Sequence, residues 1–212
     1  HGNSSILADL MARRLADYVV TESGFAADMG MEKFINIKCR VSGMVPDCVV
    51  LVATIRALKM HGGGPAVVPG RKLPAAYREE NLPLVEAGTA NMVRCIEIAQ
   101  LFGVPVVVAV NHFPSDTPAE LEVVRKAALA AGAVDAVVSR HYAEGGCGAE
   151  ALAEAVAAAC DHNGTIRFLY EPEQTIEEKI HTIATKVYGA STVQYEQLAL
   201  PGHASLDRFP PF

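Results

Sequence analysis

The stretch CVVLVATIRALKMHGGGP, residues 48–65, decides the fold that this sequence predicts. Its first part, Cys48 to Ile55, is apolar and β-branched without polar alternation, which is typical of a strand buried in a parallel sheet. Three basic side chains and a run of glycine follow. Ligands bind at the carboxyl ends of such strands, so we expect the strand to stop here and deliver its cations to a glycine-rich loop: Arg56, Lys59 and His61 precede Gly62, Gly63 and Gly64.

Other segments extend this pattern in both directions along the chain. Further β-like segments occupy Val104 to Val110, Val134 to Ser139 and Tyr18 to Thr21, the last of these after a helix-like run. Because helical patterns alternate with the β-like ones, the sequence predicts an α/β fold with a mostly parallel sheet. The expected helices are Ile6 to Ala16, Leu73 to Phe102 with a break at Gly88, Pro118 to Ala131, and Ala149 to Cys160.

Two capping boxes mark helix starts. Thr117 and Glu120, with proline between them at the first helical position, open one helix. Thr175 and Glu178 open a second, amphipathic helix that Gly189 is expected to end. Near the start of the chain, Asn3 or Ser4 is the expected N-cap of the first helix.

The composition excludes several classes of protein. Half of the residues are hydrophobic and the formal net charge is −6, which argues against disorder and against binding of nucleic acid. The longest apolar runs fall far short of the ~18 residues of a membrane-spanning helix. The five cysteines are single and odd in number, which favours the cytosol or the mitochondrial matrix over a disulfide-bonded, secreted protein.

Six segments of the chain resemble one family, the formate-tetrahydrofolate ligases (10-formyltetrahydrofolate synthetases), and the resemblance covers roughly residues 1–190. It implies a doubly wound, mostly parallel sheet of the P-loop NTPase-like type with flanking helices. The segments are HGNSS (1–5), VVTESGFAAD (19–28), MEKFINIKCR (31–40), VATIRALKMHGG (52–63), VPVVVAVNHFPSDT (104–117) and HYAEGG (141–146).

The resemblance also implies a division of the chain. Members of the family are more than twice as long, and their P-loop lies upstream of the matching segments. The phosphate-binding pattern G-x-x-x-x-G-K-[ST] does not occur here. We therefore expect an interior piece whose partner is the P-loop region of the same protein. Residues 1–103 would be the distal part of the nucleotide-binding domain, 104–190 the folate-binding α/β region, and 191–212 an irregular extension.

A nucleotide contact is expected at the turn GFAAD, where small residues at a helix start let backbone amides approach an anion. By resemblance, Phe25, Ala26, Ala27 and Asp28 face the ATP-derived nucleotide. The family usually has glycine at the position of Ala26. The alternative is an ordinary strand-to-helix turn with Phe25 in the core.

A folate site is expected after the strand Val104 to Val110. Asn111 can present both a donor and an acceptor to a heterocycle, and Phe113 offers a flat face for stacking. In the family, an aromatic residue at this position and a second one, usually tryptophan, sandwich the pterin of folate. The second position here is Tyr142. The alternative reading puts Phe113 in the core and Tyr142 on an ordinary surface.

Four basic side chains are candidates for binding phosphate or the glutamate tail of folate, because charge-assisted contacts to such anions are strong. His61 could also act as a general base, although a histidine without an orienting carboxylate is more often structural. The scattered His and Cys residues lack metal-ligand spacing, so no metal site is expected from this chain. The four candidates are Arg40, Arg56, Lys59 and His61.

The activity that the resemblance implies is ATP-dependent ligation of formate to tetrahydrofolate. The products are 10-formyltetrahydrofolate, ADP and phosphate, and formyl phosphate is the intermediate. The resemblance implies ATP and tetrahydrofolate as substrates beside formate, and Mg²⁺ as the cofactor. We expect this chain alone to be inactive. The alternative is a degenerate, non-catalytic family member that serves as a structural subunit of a larger assembly or homo-oligomer.

Overall fold

The computed structural model describes residues 3–161 and 164–195. The chain forms two compact units, one of Pro46–Thr165 and one of His1–Val45 with Ile166–Phe212. The functional division at residues 103 and 190 stays a prediction. In chain order the elements are α1 (Ile6–Ala12), α2 (Arg40–Ser42), β1 (Val49–Ala53), α3 (Ile55–His61), α4 (Leu82–Leu101), β2 (Val106–Asn111), α5 (Pro118–Ala130), β3 (Asp135–Ser139), α6 (His141–Glu144), α7 (Glu150–Cys160) and α8 (Ile176–Lys186).

A three-stranded parallel sheet in the order β1-β2-β3 forms the centre of the Pro46–Thr165 unit. In its register Val49 pairs with Val106, and Asn111 pairs with Ser139. Residues 106–110 of the middle strand are all buried, since a strand lies on each side and α4, α5 and α7 pack against the sheet. The predicted α/β class, the parallel pairing and these three strands are confirmed.

The basic stretch after β1 is helical, so the prediction that the strand itself delivers the cations to the glycine-rich loop is wrong. The strand ends at Ala53, and the Thr54 hydroxyl accepts a hydrogen bond from the amide of Ala57 at 3.1 Å, which starts α3. Alanine, leucine, lysine and methionine are strong helix formers and extend it to His61. The three candidate cations of this stretch therefore lie on α3, before the glycines.

Helix α4 runs without a break through Gly88, contrary to the sequence prediction. The glycine allows α3 and α4 to pack backbone to backbone. A Cβ atom on Gly88 would lie 1.8 Å from the carbonyl oxygen of Leu58, and one on Gly62 would lie 2.0 Å from that of Leu84. A helix tolerates glycine when a neighbour needs the space.

The second unit, described by itself, holds one long helical segment. Residues 26–31 and 34–39 have π-helical geometry and continue into α2. The predicted strand Tyr18 to Thr21 is wrong: its side chains are exposed and form no strand, because β propensity acts only where a sheet can bury the residues. The N-cap of α1 is Ser5, rather than Asn3 or Ser4.

The predicted helix start at Thr175 is confirmed. Thr175 and Glu178 form the full capping box of α8, and Gly189 follows this helix with φ +67°. The other predicted box, Thr117 with Glu120, is confirmed at the start of α5. Residues 191–195 are irregular, and the rest of the predicted extension lies outside the described residues.

Candidate functional site

Three connections leave the carboxyl ends of the parallel strands, and we call them together the carboxyl edge: residues 54–56, 111–117 and 140–146. The amide of His112 donates to the carbonyl of Ser139 at 3.0 Å, so the second and third connections start side by side. The edge therefore holds all three predicted folate contacts: Asn111, Phe113 and Tyr142.

Arg56 and Phe113 are in direct contact at this edge. The guanidinium carbon of Arg56 lies 4.2 Å from the centre of the Phe113 ring, a cation–π geometry. One guanidinium nitrogen also donates to the hydroxyl of Ser115 at 3.3 Å. Arg56 Nε is buried and has no hydrogen-bond partner among the described residues. Arg56, the second residue of α3, thus reaches across to the loop that follows β2.

The loop between β2 and α5 is closed by its own hydrogen bonds. The amide of Phe113 donates to the Asp116 carboxylate at 2.8 Å, and the amide of Asp116 donates to the carbonyl of Phe113 at 2.9 Å. Asp116 is buried, and burial raises the pKa of its carboxyl group, while the bond from Phe113 acts in the opposite direction. Asp116 therefore shapes the loop that presents Phe113.

Lys59 forms a buried ion pair that the sequence did not predict. Its ammonium group lies 2.6 Å from the Glu120 carboxylate and donates to the carbonyl of Glu79 at 2.7 Å. The side chains of Lys59 and Glu120 are 1% and 0% exposed. Glu120 also accepts from the amides of Asn81 and Thr117. Burial raises the pKa of Glu120, but the bonds from Lys59 and these amides outweigh it and hold the pKa below its ordinary value.

The ammonium group of Lys59 is thus already bound to groups of the protein, the Glu120 carboxylate and the Glu79 carbonyl. Its suggested role as an anion contact stays a prediction, but in this structure the group joins α3 to the start of α5. No local spacing could have revealed the pair, since the two residues are far apart in the sequence. The capping box alone identified Glu120, and only as a cap.

Tyr142 lies on the short helix α6, and its side chain is 92% exposed. The preceding His141 bonds through Nδ1 to the Ser139 hydroxyl at 2.8 Å. The backbone returns tightly here, since a Cβ on Gly148 would lie 2.6 Å from the carbonyl carbon of Arg140. Phe113 is half-buried, so the alternative is wrong in placing Phe113 in the core, whereas its placement of Tyr142 at the surface agrees with the exposure of that side chain.

The other anion-contact candidates differ in environment. His61 is exposed in the last turn of α3. Arg40, in the other unit, lies with its guanidinium carbon 4.0 Å from the centre of the Phe168 ring and donates to the carbonyl of Tyr170. Arg40 thereby ties the long helical segment to residues 168–170.

The predicted nucleotide turn starts the π-helical segment of this unit. Phe25 is 65% exposed, so its alternative placement in the core is wrong. Ala26 has φ +57°, Ala27 is buried, and the carbonyl of Asp28 accepts from the Tyr188 hydroxyl at 3.3 Å. The amide of Gly30 donates to the carbonyl of Phe25 at 2.8 Å, five residues back, which is the hydrogen-bond spacing of a π-helix. Short π-helical turns are frequent at functional sites.

A concavity of about 300 Å³ lies at the opposite edge of the sheet, away from the candidate residues. It is open, and no ionisable side chain lines it, so it offers little specific chemistry. Its lining residues are Gln100, Gly103, Val104, Pro105, Val106, Gly132 and Gly164.

Comparison with known proteins settles the family. The family described as formate-tetrahydrofolate ligase matches residues 1–208. The chain belongs to this family. It is 56% identical over 199 residues to the formate-tetrahydrofolate ligase of Desulforamulus reducens, a match that covers 94% of this chain and 35% of that protein.

Eukaryotic relatives match the chain over a smaller share of their own length. The chain is 54% identical over 197 residues to the cytoplasmic C-1-tetrahydrofolate synthase of Homo sapiens, covering 92% of this chain and 21% of that protein. It is 52% identical over 211 residues to the mitochondrial C-1-tetrahydrofolate synthase of Schizosaccharomyces pombe, covering 93% and 22%. The chain thus spans about a third of the length of the bacterial ligase that it matches.

In residues 3–161 and 164–195, no group of three or more His, Cys, Asp or Glu side chains could hold a metal ion. Protein sites for Mg²⁺ commonly use only one or two carboxylates together with substrate phosphates and water, so they need no cluster of this size. Across the same residues, no helix has both the length and the apolar character to cross a membrane.

Ala26 offers a test of the nucleotide turn, because its left-handed φ of +57° is costly for a residue with a Cβ atom. Replacing Ala26 by glycine is expected to raise the free energy of unfolding by about 0.5–1 kcal/mol, measured by urea denaturation. The buried neighbour provides a control of opposite sign: Ala27→Gly should lower it by about 1 kcal/mol. Equal destabilisation by both substitutions would contradict the strained turn.

Proposed function

We propose that this chain supplies the folate-stacking surface of a formate-tetrahydrofolate ligase. The whole enzyme would use ATP to activate formate as formyl phosphate and transfer the formyl group to tetrahydrofolate, giving 10-formyltetrahydrofolate, ADP and phosphate. One observation carries the proposal: Phe113 and Tyr142 lie in connections that leave the carboxyl ends of the adjacent strands β2 and β3.

The chemistry of the carboxyl edge suits a flat, polar heterocycle. A half-buried phenyl ring and a phenol ring provide stacking faces, and stacked aromatic pairs gain about 0.5–1.5 kcal/mol beyond the area that they bury. Asn111, at the end of β2, can donate to and accept from the edge of a pterin. Tyr142 is 92% exposed and Phe113 is half-buried, so Tyr142, which also has less stacking area than a tryptophan, would add less to binding than Phe113.

The turn of Phe25, Ala26, Ala27 and Asp28 is proposed as part of the nucleotide wall of the enzyme. Its support is the exposed ring of Phe25 and the start of a helical segment at Ala26, where backbone amides can bind an anion. When bound, Mg²⁺ would neutralise phosphate charge on the nucleotide. Arg40, Arg56 and His61 remain proposed anion contacts, whereas the protein already holds Lys59 by an ion pair.

The proposal includes the rest of the ligase as the partner of this chain. The relatives are longer, and this sequence contains no phosphate-binding P-loop pattern, so the P-loop region of the same protein would hold the triphosphate. The proposed compartment is the cytoplasm or the mitochondrial matrix. We expect no turnover by the 212 residues alone, and detection of 10-formyltetrahydrofolate after adding ATP, Mg²⁺, formate and tetrahydrofolate would contradict this.

Calorimetric titration of the chain with tetrahydrofolate tests the proposed function. We expect heat from the native sequence, and Phe113→Ala should weaken binding by about 5- to 100-fold, since removing an aromatic ring from under a stacked heterocycle costs roughly 1–3 kcal/mol. Tyr142→Ala should weaken binding less. Tyr18→Ala, which removes an exposed ring in the other unit, is the control and should bind like the native chain.

The alternative, a non-catalytic structural subunit, makes the opposite prediction for this titration. A chain that keeps only the scaffold of the family would give no heat with tetrahydrofolate. Such a result, from protein that melts cooperatively, would overturn the proposed folate site and favour a structural role.

A further inference from the structure

We propose that Arg56 is a positioning residue for folate binding: its guanidinium group covers one face of the Phe113 ring and leaves the other face as the stacking surface for the pterin. This inference rests on the proposed function. It assigns to Arg56 an action through Phe113, which is distinct from direct contact with an anion.

The contact between the two side chains is close enough for this role. A distance of 4.2 Å from the guanidinium carbon to the ring centre leaves no room for a second planar group on that face. The ring can therefore stack with a ligand on one side only. A cation on one face also draws π-electron density toward itself, which favours an electron-rich heterocycle on the opposite face.

Other contacts hold both Arg56 and Phe113 in place. Ser115 accepts from the guanidinium group at 3.3 Å, and Asp116 closes the loop by accepting from the amide of Phe113. One turn further along α3 from Arg56, Lys59 is locked in its buried pair with Glu120. Helix α3 thus contacts the loop through Arg56 and the first turn of α5, directly after the loop, through the ion pair of Lys59.

Lysine cannot replace arginine in this arrangement. A guanidinium group is planar and stacks on a ring while it also donates sideways to a hydroxyl, whereas an ammonium group is a compact, strongly hydrated point charge. The Nε of Arg56 is buried and has no hydrogen-bond partner within residues 3–161 and 164–195, which fits a group that is held by stacking more than by hydrogen bonds. Arg56→Lys keeps the charge and removes the stack, so it separates the two roles.

The test is a double-mutant cycle on the native chain, with tetrahydrofolate as the probe and calorimetry as the readout. We expect Arg56→Lys to weaken binding by about three- to tenfold. In a Phe113→Leu background, the same substitution should have no further effect, because the ring through which Arg56 acts is gone. Arg125→Lys, in a surface pair with Glu122, is the control and should leave binding unchanged.

The outcomes of the cycle are distinguishable. Equal losses from Arg56→Lys in both backgrounds would overturn this inference while the folate site stands. No heat from the native chain would overturn the proposed function, and the inference with it. The Hε proton of Arg56 gives an independent readout: its NMR signal should be shifted upfield by the ring in the native chain and return downfield in Phe113→Leu, and an unchanged signal would overturn the stacking.

Discussion

Replacing Lys59 by methionine is expected to lower the free energy of unfolding by about 3–5 kcal/mol, because it leaves the Glu120 carboxylate buried without its cation. The carboxylate is 0% exposed, so water cannot replace the lost partner. Urea denaturation at neutral pH measures the loss. Lys126→Met is the matched control, since its ammonium group is 73% exposed and lies 3.8 Å from Glu122. It should change stability by less than about 0.5 kcal/mol.

The effect should depend on pH in a defined direction. The pKa of Glu120 is held below its ordinary value in the folded chain, so the ionised group stabilises the fold above the pKa of the unfolded chain. This stabilisation is lost as the pH falls through the lowered folded value. The difference between the native chain and Lys59→Met should therefore narrow in acid. A difference below about 1 kcal/mol at neutral pH would contradict the buried pair.

Gly88→Ala is expected to destabilise the chain by about 1–3 kcal/mol or more, although alanine is normally the better helix former. The added Cβ would lie 1.8 Å from the carbonyl oxygen of Leu58 and would force α3 and α4 apart. Movement of α3 would also displace Arg56 from Phe113. Gly146→Ala is the control, since no atom lies within 4 Å of the position of its Cβ.

A thermal melt followed by circular dichroism compares the two glycine variants directly. Gly146→Ala should melt close to the native chain, and Gly88→Ala should melt well below it. If Gly88→Ala instead stabilised the chain, as a glycine-to-alanine change usually does inside a helix, the close crossing of the two helices would be contradicted.

The sheet was predictable because each of its strands has a local residue pattern that is typical of a buried strand. The unbroken apolar run of residues 106–110 has no polar side chain to face solvent. Such a run is typical of a strand that is buried between two neighbouring strands and covered by helices. The capping boxes of α5 and α8 are equally local signals. Tyr18 to Thr21 shows the limit of such signals, since β-branched residues form a strand only when a neighbouring strand accepts them.

Long-range contacts could not be predicted in the same way. Gly88 looked like a helix break because nothing in its own segment shows that the backbone of Leu58 packs against it. The pairing of Lys59 with Glu120, and the stacking of Arg56 on Phe113, each join residues that only the fold brings together. The sequence predicted which residues would lie at the carboxyl edge. It could not predict the contacts of Arg56 and Lys59, because these depend on Phe113 and Glu120, which only the fold brings close.

The most direct measurement of the central claim, that the carboxyl edge binds folate, is a map of amide chemical-shift changes when tetrahydrofolate is added to the isotopically labelled chain. The account predicts that the largest changes fall in residues 111–117 and 140–146, with smaller changes at 54–56. Changes confined to other parts of the chain, such as the concavity around Gly103 and Gly132 at the opposite edge, would contradict it.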